Sequence, residues 1–358
     1  MYTFTGPHRN GFSAKRRMSK PPIFIVGAPR SGTTLLRNLL NRHPKLAICG
    51  ETRFYHYIYT RRRAFGDLSN RENRRRLVEE YLSTERAERL GMNLLGLGER
   101  LLSRATGYRE FFTCLLEQYA ESQGKQRSGE KTPHHALFAE TLCEWYPGAV
   151  ILHLVRDPRD VVASLQRMQW ASNSVVANAW MWKQCNVAAL RSAHRPEYLL
   201  VHYEPLVTQP EHELAKICAF ADEDFDPCML LPDRQPPPNR SQLRPHQQAV
   251  TLERRGTWRE LLTPDEVSLI EWAVGPHLPA FGYERAHGPA PRLKVARAIS
   301  FAAIDGIRKQ IAEFPGIWYH LAQPTKIARE EYWKHRREFE QEGISPTRWR
   351  FPSSLGAK

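Results

Sequence analysis

Ile23-Phe24-Ile25-Val26-Gly27-Ala28-Pro29-Arg30-Ser31-Gly32-Thr33-Thr34-Leu35-Leu36 begins as an apolar run and ends as the start of an amphipathic helix. Residues 23–26 have the composition of a strand buried on both faces. The run breaks at Gly27 and Pro29, and the leucines at 35, 36, 39 and 40 then fall on one helical face. A strand, a glycine-containing turn and a helix together aim backbone N–H groups and a helix N-terminus at one point, which makes an anion site. Gly27 and Gly32 occupy the glycine positions of Gly-x-x-x-x-Gly-Lys-[Ser/Thr], but Thr33 stands where the lysine belongs. A triphosphate-hydrolysing loop needs that lysine on the β- and γ-phosphates, so its replacement argues against ATP or GTP hydrolysis. The cation lies inside the loop instead, at Arg30, and Ser31, Thr33 and Thr34 add donors.

Outward from this unit, Leu46-Ala47-Ile48-Cys49 predicts a second strand running into Gly50-Glu51-Thr52-Arg53. That loop then sits at a strand's C-terminal end, where open α/β sheets carry their ligand crevice. Residues 149–155 have the pattern of another fully buried strand, followed by Arg156-Asp157-Pro158-Arg159-Asp160 and a helix through Val161, Val162 and Leu165. Residues 198–203 predict a further strand, and 210–220 the helix after it. This alternation predicts an α/β fold, a P-loop-like parallel sheet flanked by helices on both faces.

Other segments decorate that sheet. Residues 55–128 show helical patterning, no strand, and the arginine runs Arg61-Arg62-Arg63 and Arg74-Arg75-Arg76. They are expected to be a helical insertion over the crevice, its arginines a solvated face or a surface for an acidic acceptor. Residues 128–133 read as a loop carrying Lys131, with Pro133 opening a helix. Residues 227–249 read as loop, with Arg255 and Gly256 just beyond. Thr263-Pro264-Asp265-Glu266 has the makings of a capping box. A disordered basic leader over 1–20, a main domain over 21–285 and a helical, charged C-terminal extension over 286–358 complete the expected organisation. Basic and apolar residues alternate over 292–318, a pattern that fits a helix packed on the domain or one lying on an anionic membrane.

The 358 residues carry 52 basic and 38 acidic side chains, a net charge of +14 that favours anionic ligands, nucleic acid or an anionic membrane surface. Hydrophobic content of 41% and charged content of 25% are those of a globular chain, which excludes a wholly disordered protein. The six cysteines form no Cys-x-x-Cys pair, so no zinc site is expected and a reduced, cytoplasmic setting is. The first 20 residues have no signal-peptide core, and no run of about 18 apolar residues marks a membrane span.

Three separated elements thus converge on one sheet edge: loop 30–34, Arg156 with Ser164, and Arg255-Gly256. Two anion sites suit a nucleotide phosphorylated at both ends of its ribose. Here the chain resembles the sulfotransferases that use 3′-phosphoadenylyl sulfate (PAPS) and release 3′,5′-bisphosphoadenosine (PAP). Pro29-Arg30-Ser31-Gly32-Thr33-Thr34 is similar to the family's 5′-phosphosulfate loop, and Arg156 with Ser164 to its 3′-phosphate element. Within the family the resemblance is greatest to the tyrosylprotein sulfotransferases. It is carried by loop 29–34, Gly50-Glu51-Thr52-Arg53, Lys131-Thr132-Pro133 and Val201-His202-Tyr203-Glu204-Pro205-Leu206-Val207, and covers about residues 22–283. Gly50 and Thr132 depart from that pattern at positions where those enzymes carry acidic residues.

The resemblance implies in-line transfer of a sulfuryl group to an acceptor hydroxyl, with roles for individual residues. Glu51 is the implied base, its alternative role being an ion pair with Arg53. Lys131 and Arg30 are the implied stabilisers of charge on the leaving oxygen. Arg30, Ser31, Gly32, Thr33 and Thr34 would hold the 5′-phosphate, and Arg156 and Ser164 the 3′-phosphate, aided by Arg255 and Gly256. Tyr203 reads equally as a nucleotide contact or a core tyrosine, and Arg53 as an acceptor contact. No metal is required. The acceptor stays open among carbohydrate, small molecule and tyrosyl protein, and peripheral contact with the inner membrane face through 292–318 remains an expectation. Two other classes compete: a P-loop nucleotide kinase, which the missing lysine opposes, and a nucleic-acid binder, for which the chain has no recognised module.

Overall fold

A computed structural model describes residues 20–231 and 255–306. Residues 1–19, 232–254 and 307–358 lie outside the described residues, and with them the expected leader through residue 19, the expected loop over 232–249 and the expected C-terminal extension from 307 onward.

Five parallel strands form one sheet in the order β2-β3-β1-β4-β5: β1 Ile23–Gly27, β2 Leu46–Cys49, β3 Arg127–Lys131, β4 Val150–Val155 and β5 Tyr198–His202. Successive side chains of a strand point to opposite faces, so the two faces of the sheet build two cores. Phe24, Val26, Ala47, Cys49, Ile151 and Val155 belong to the larger core, which reaches Phe111 and Phe112 of the helix Tyr108–Ser122 and Trp182 of the helix Val175–Leu190. Ile23, Ile25, Leu46, Ile48, Leu152, Leu154 and Val201 belong to the other, with Leu36, Leu39 and Leu40 of α1 (Thr33–Arg42) and Leu214 and Ile217 of the helix Pro210–Phe220. The expected two-faced α/β sheet is what forms.

Some expectations need correction. Residues 128–131 are no loop, and the stretch 55–128 is not without strand at its end: Arg127–Lys131 is β3, which lies between β2 and β1. Arg-Ser-Gly-Glu-Lys has no apolar run and no alternation, so periodicity hides it. Tertiary partners make the strand instead. A Cβ at Gly129 would stand 2.4 Å from the Ile23 carbonyl oxygen, so only glycine lets these strands approach. Arg127 pairs with Glu223 at 3.1 Å, both side chains buried. The strand expected over 198–203 ends at His202, and Tyr203 opens the short helix Tyr203–Thr208. Residues 227–230, expected as loop, form a 3₁₀ turn.

From 54 to 122 the chain is helix and turn. Its arginine runs are largely engaged with their own segment. Arg61 pairs with Glu80 at 2.7 Å, Arg62 lies over the Tyr59 ring, and Arg75 pairs with Glu72 at 2.8 Å. Arg74 and Arg76 donate to the carbonyls of Leu68 and Ala64. The solvated-face reading therefore accounts for them. Thr263 and Glu266 form the capping box of the helix Pro264–Val274, with Pro264 in its first turn. Residues 292–306 are helical and packed on the domain, where buried Asp305 accepts from Asn173 N at 3.2 Å and Lys294 pairs with Asp265.

Candidate active site

The strand order sets the layout of the site, because its main candidate groups follow the carboxyl ends of strands. Across the sheet edge these are Glu51 after β2, Lys131 at the end of β3, loop 28–34 after β1, Arg156 after β4 and Tyr203 after β5. Groups scattered over more than 150 residues of chain thus share one crevice edge.

Loop 28–34 is built by two glycines. A Cβ at Gly27 would lie 2.3 Å from the Leu154 carbonyl oxygen, so β1 and β4 close together only with glycine here. Gly32 caps α1 with φ +99°, and a Cβ on it would lie 2.4 Å from Tyr203 Cδ2. Arg30 adopts φ +71°, a left-handed conformation uncommon for a residue with a side chain. The Ser31 N–H, expected to face a phosphate, instead donates to Ala28 O at 3.3 Å and closes the turn. Its hydroxyl is different: Ser31 Oγ is buried and has no hydrogen-bond partner among the described residues. The first N–H groups of α1 lack intrahelical acceptors by geometry. Thr33, buried, and Thr34, half-buried, sit at that helix start. Unsatisfied donors around an arginine-bearing loop are what an anionic oxygen would complete.

Arg156 lies on the far side of this loop. One of its NH groups donates to Arg30 O at 3.3 Å, and its guanidinium lies 4.4 Å from the Tyr203 ring centroid. Arg30 Nε donates to Ser164 Oγ at 3.0 Å, so the two expected phosphate sites are contiguous and Arg30 leans toward the Arg156 side. Tyr203 is buried between Gly32 and Arg156, as the core-tyrosine reading expects, and its ring faces the Arg156 guanidinium.

Gly256 joins the site through Asp160. Asp160 lies 3.6 Å from Arg156 and accepts from Gly256 N at 2.8 Å, Trp258 N at 3.0 Å and Thr257 Oγ1 at 3.2 Å. Arg255 is exposed beside it. Sequence reasoning did not select Asp160, nor two further supports. Glu204 accepts from Asp157 N at 3.0 Å and from the Tyr283 hydroxyl at 2.9 Å, fixing the turn behind Arg156. Arg159 bridges Asp157 at 2.7 Å and Glu271 at 2.9 Å. Glu204 stood inside the quoted 201–207 motif, so a signal for it existed.

At the other end of the edge, Lys131 Nζ donates to Glu51 Oε1 at 2.7 Å, and Arg53 Nε to Glu51 Oε2 at 3.4 Å. The expected contact with Arg53 is therefore present, and Lys131, expected only at the leaving oxygen, is a second partner of Glu51. Lys131 is buried while Glu51 keeps a third of its side chain exposed, so the carboxylate opens to the crevice. Burial pushes the Glu51 carboxyl up, but the Lys131 ammonium and its hydrogen bond, helped by Arg53, hold it at about 2. Beyond Glu51 stand Arg86, over the Tyr57 ring at 4.4 Å, and the rings of His56, His134 and His135, the first stacked on His135 and meeting His134 edge-on. Burial, then His134 and His135, lower His56 to about 4.

This geometry can hold two anionic groups at the Arg30 and Arg156 end and keep an ionised carboxylate beside an ammonium at the other. Among the described residues no group of three His, Cys, Asp or Glu side chains is arranged to hold a metal.

Comparison with known proteins shows the family and the fold. A family model described as "Sulfotransferase family" matches residues 21–227. The protein-tyrosine sulfotransferase of Drosophila melanogaster is 27% identical over 242 residues, covering 63% of this chain and 42% of that protein. The nodulation protein NoeE of Sinorhizobium fredii is 25% identical over 304 residues, covering 76% of this chain and 68% of that protein. The solved sulfotransferase domain from the curacin biosynthetic pathway matches with a TM-score of 0.51 at 20% identity, covering 74% of this chain and 98% of that one, a likeness of fold.

Proposed function

The chain belongs to the sulfotransferase family, and from that premise we propose that it transfers a sulfuryl group from PAPS to an acceptor hydroxyl. One observation carries the reading to these residues: an ionised carboxylate at Glu51, a third of its side chain exposed, and a buried ammonium at Lys131 share the sheet edge with the Arg30 and Arg156 groups. In the reaction the acceptor oxygen bonds to sulfur as the bond from sulfur to the 5′-phosphate oxygen breaks, and PAP leaves. Glu51 takes the hydroxyl proton. Lys131 sits beside it to neutralise charge on the leaving oxygen. Ser31 Oγ, the helix start at Thr33 and Thr34, and Arg30 hold the 5′-phosphate. Arg156, Ser164 and the turn at Gly256 hold the 3′-phosphate, with Tyr203 as the wall. Because Arg30 turns toward Ser164, the leaving-oxygen role falls chiefly on Lys131.

We assign the acceptor to hydroxyl compounds that carry negative charge nearby, whether tyrosyl, carbohydrate or small molecule. Arg53 pairs with Glu51 at 3.4 Å, and Arg86, over the Tyr57 ring, is near enough to feel its charge. Six free cysteines suit a reducing, cytoplasmic compartment, which fractionation of the producing cell would test. Leu293, Phe301 and Ile304 are exposed on the helix over 292–306 together with Arg297, a face suited to an anionic membrane surface. Co-sedimentation with phosphatidylglycerol vesicles, weakened by Phe301→Asp, is the expected result there; no sedimentation of the wild type overturns it.

Incubation with ³⁵S-labelled PAPS and a panel of hydroxyl acceptors tests the activity. Labelled product is expected, with acidic acceptors ahead of neutral ones. Label transfer to none of them, with the protein folded and binding PAP, would count against the acceptor assignment; failure to bind PAP would remove the whole reading.

A further inference from the structure

β3 ends in Glu130-Lys131-Thr132, and Glu130 is fully buried. It pairs in register with Phe24 and Cys49, on the apolar face of the sheet. A carboxylate there is costly unless its oxygens are satisfied. Four donors satisfy them. Oε1 accepts from Thr52 N and Thr52 Oγ1, both at 3.0 Å, and from Thr132 Oγ1. Oε2 meets His135 Nδ1 at 3.0 Å. The Tyr55 N–H points at His135 Nε2 at 3.4 Å, and an amide N–H only donates. Nε2 is therefore the acceptor, and Nδ1 carries the proton given to Glu130.

The same hydroxyls reach onward. Thr132 Oγ1 accepts from Arg53 N at 3.3 Å, and Thr52 Oγ1 from Phe54 N at 3.2 Å. Loop 52–55 is thus fastened to β3 and the turn after it through one carboxylate. Arg53 itself sits at φ +48°, an uncommon conformation for which its N–H contact supplies a partner. Thr52 and Arg53 adjoin Glu51, and Glu130 and Thr132 adjoin Lys131. Thr132, which departs from the acidic residue of the tyrosylprotein enzymes, here donates to an acid that this chain places two residues earlier.

We propose that Glu130 is a positioning residue, which clamps loop 51–54 to the end of β3 and so sets the contact between Glu51 and Lys131. Its geometry stands alone, while its consequence for turnover rests on the sulfuryl-transfer reading. Glu51 faces Lys131 from β3 and Arg53 from its own loop, with Arg86 and His134 within electrostatic range. The hydrogen bonds of the clamp join residues 52–55 to residues 130, 132 and 135.

Glu130→Gln tests it, because the amide keeps the shape but must turn a donor toward Thr52, Thr132 or His135. The variant is expected to fold, to bind PAP within about threefold of wild type, and to lose on the order of 10²-fold in kcat with little change in KM for PAPS. Thr52→Val and Thr132→Val, which leave the charge in place, should each show a smaller loss of the same kind. A second readout needs no turnover: the Glu51 carboxyl, followed by ¹³C NMR and assigned with Glu51→Gln. Loss of the Glu130 charge alone would move its midpoint down from about 2; displacement from Lys131 moves it up toward the ordinary 4.5. An upward shift with PAP binding retained supports the clamp. A folded Glu130→Gln with unmoved or lowered Glu51 titration, or with kcat retained, overturns it. If the wild type turns over no acceptor, that result counts against the sulfuryl-transfer reading, and the titration still decides the clamp.

Discussion

Lys131 Nζ stands 2.7 Å from Glu51 Oε1, an ion pair whose cation is buried and whose anion opens to the crevice. The pair joins β2 to β3 at the point where acceptor and donor would meet. A carboxyl held at about 2 is ionised at every physiological pH but is a weak base while Lys131 stays on it. Drawing the ammonium toward a leaving phosphate oxygen would raise its basicity at the moment the proton must move.

Lys131→Ala should therefore do two separable things. It removes charge from the leaving oxygen, lowering kcat by on the order of 10³-fold. It also frees Glu51, whose remaining burial raises its pKa. A carboxylate depressed in the native state loses activity only as pH falls through that depressed value. Wild-type kcat/KM should thus show no limb from Glu51 above about 2, whereas the variant should show one above 4.5. A pH profile of the residual activity measures this, and an unmoved acid limb would contradict the pairing.

The 3′-phosphate end should respond in binding rather than in chemistry. Arg156→Ala leaves Asp160 and the Tyr203 ring without their cation and should weaken PAP at least roughly tenfold. Ser164→Ala, removing one hydroxyl that Arg30 already engages, should cost a few-fold. Calorimetry with PAP checks both; equal affinities across the three proteins would move the 3′-phosphate elsewhere.

Gly32→Ala sets a Cβ against Tyr203 at φ +99°. We expect a loss of about 2–4 kcal/mol in stability together with weaker PAP binding, because the displaced ring is also the wall under Arg156. Gly27→Ala meets backbone at Leu154 instead of a ring edge, and should not yield folded protein. Thermal melts with and without PAP distinguish the two.

These assignments show which physical signals a sequence carries. Strands β1, β2, β4 and β5 are apolar runs, and α1 shows its buried leucines by spacing, so they were legible. The Thr263 capping box was legible because its chemistry is local. β3 was not, since its stability comes from Gly129 against Ile23 and from Glu130 and Lys131 finding partners in loop 51–54. Loop 28–34 and Arg156 were singled out by residue type at strand ends. Asp160, Glu204 and Glu130 were missed because they touch backbone N–H groups far along the chain, and no spacing rule encodes such partners.

His153 provides a test of the fold independent of function. It is buried in β4 between Asn186 at 2.8 Å and the Tyr198 hydroxyl at 2.5 Å, and burial lowers it to about 4. The unfolded chain binds this proton below 6.5 and the native state only near 4, so stability is full above 6.5 and falls between 6.5 and 4. The loss is on the order of 2–3 kcal/mol, and urea titrations of wild type and His153→Gln over that range should show a shallower slope in the variant.

The central claim is that loop 28–34 and the Arg156 element together hold a nucleotide phosphorylated at both the 3′ and 5′ positions. Calorimetric titration of the wild-type chain with PAP and with ATP tests it most directly. The geometry predicts that PAP binds at least about tenfold more tightly than ATP, and that Arg156→Ala erases the preference. Tight binding of ATP, with PAP bound weakly or not at all, would contradict it.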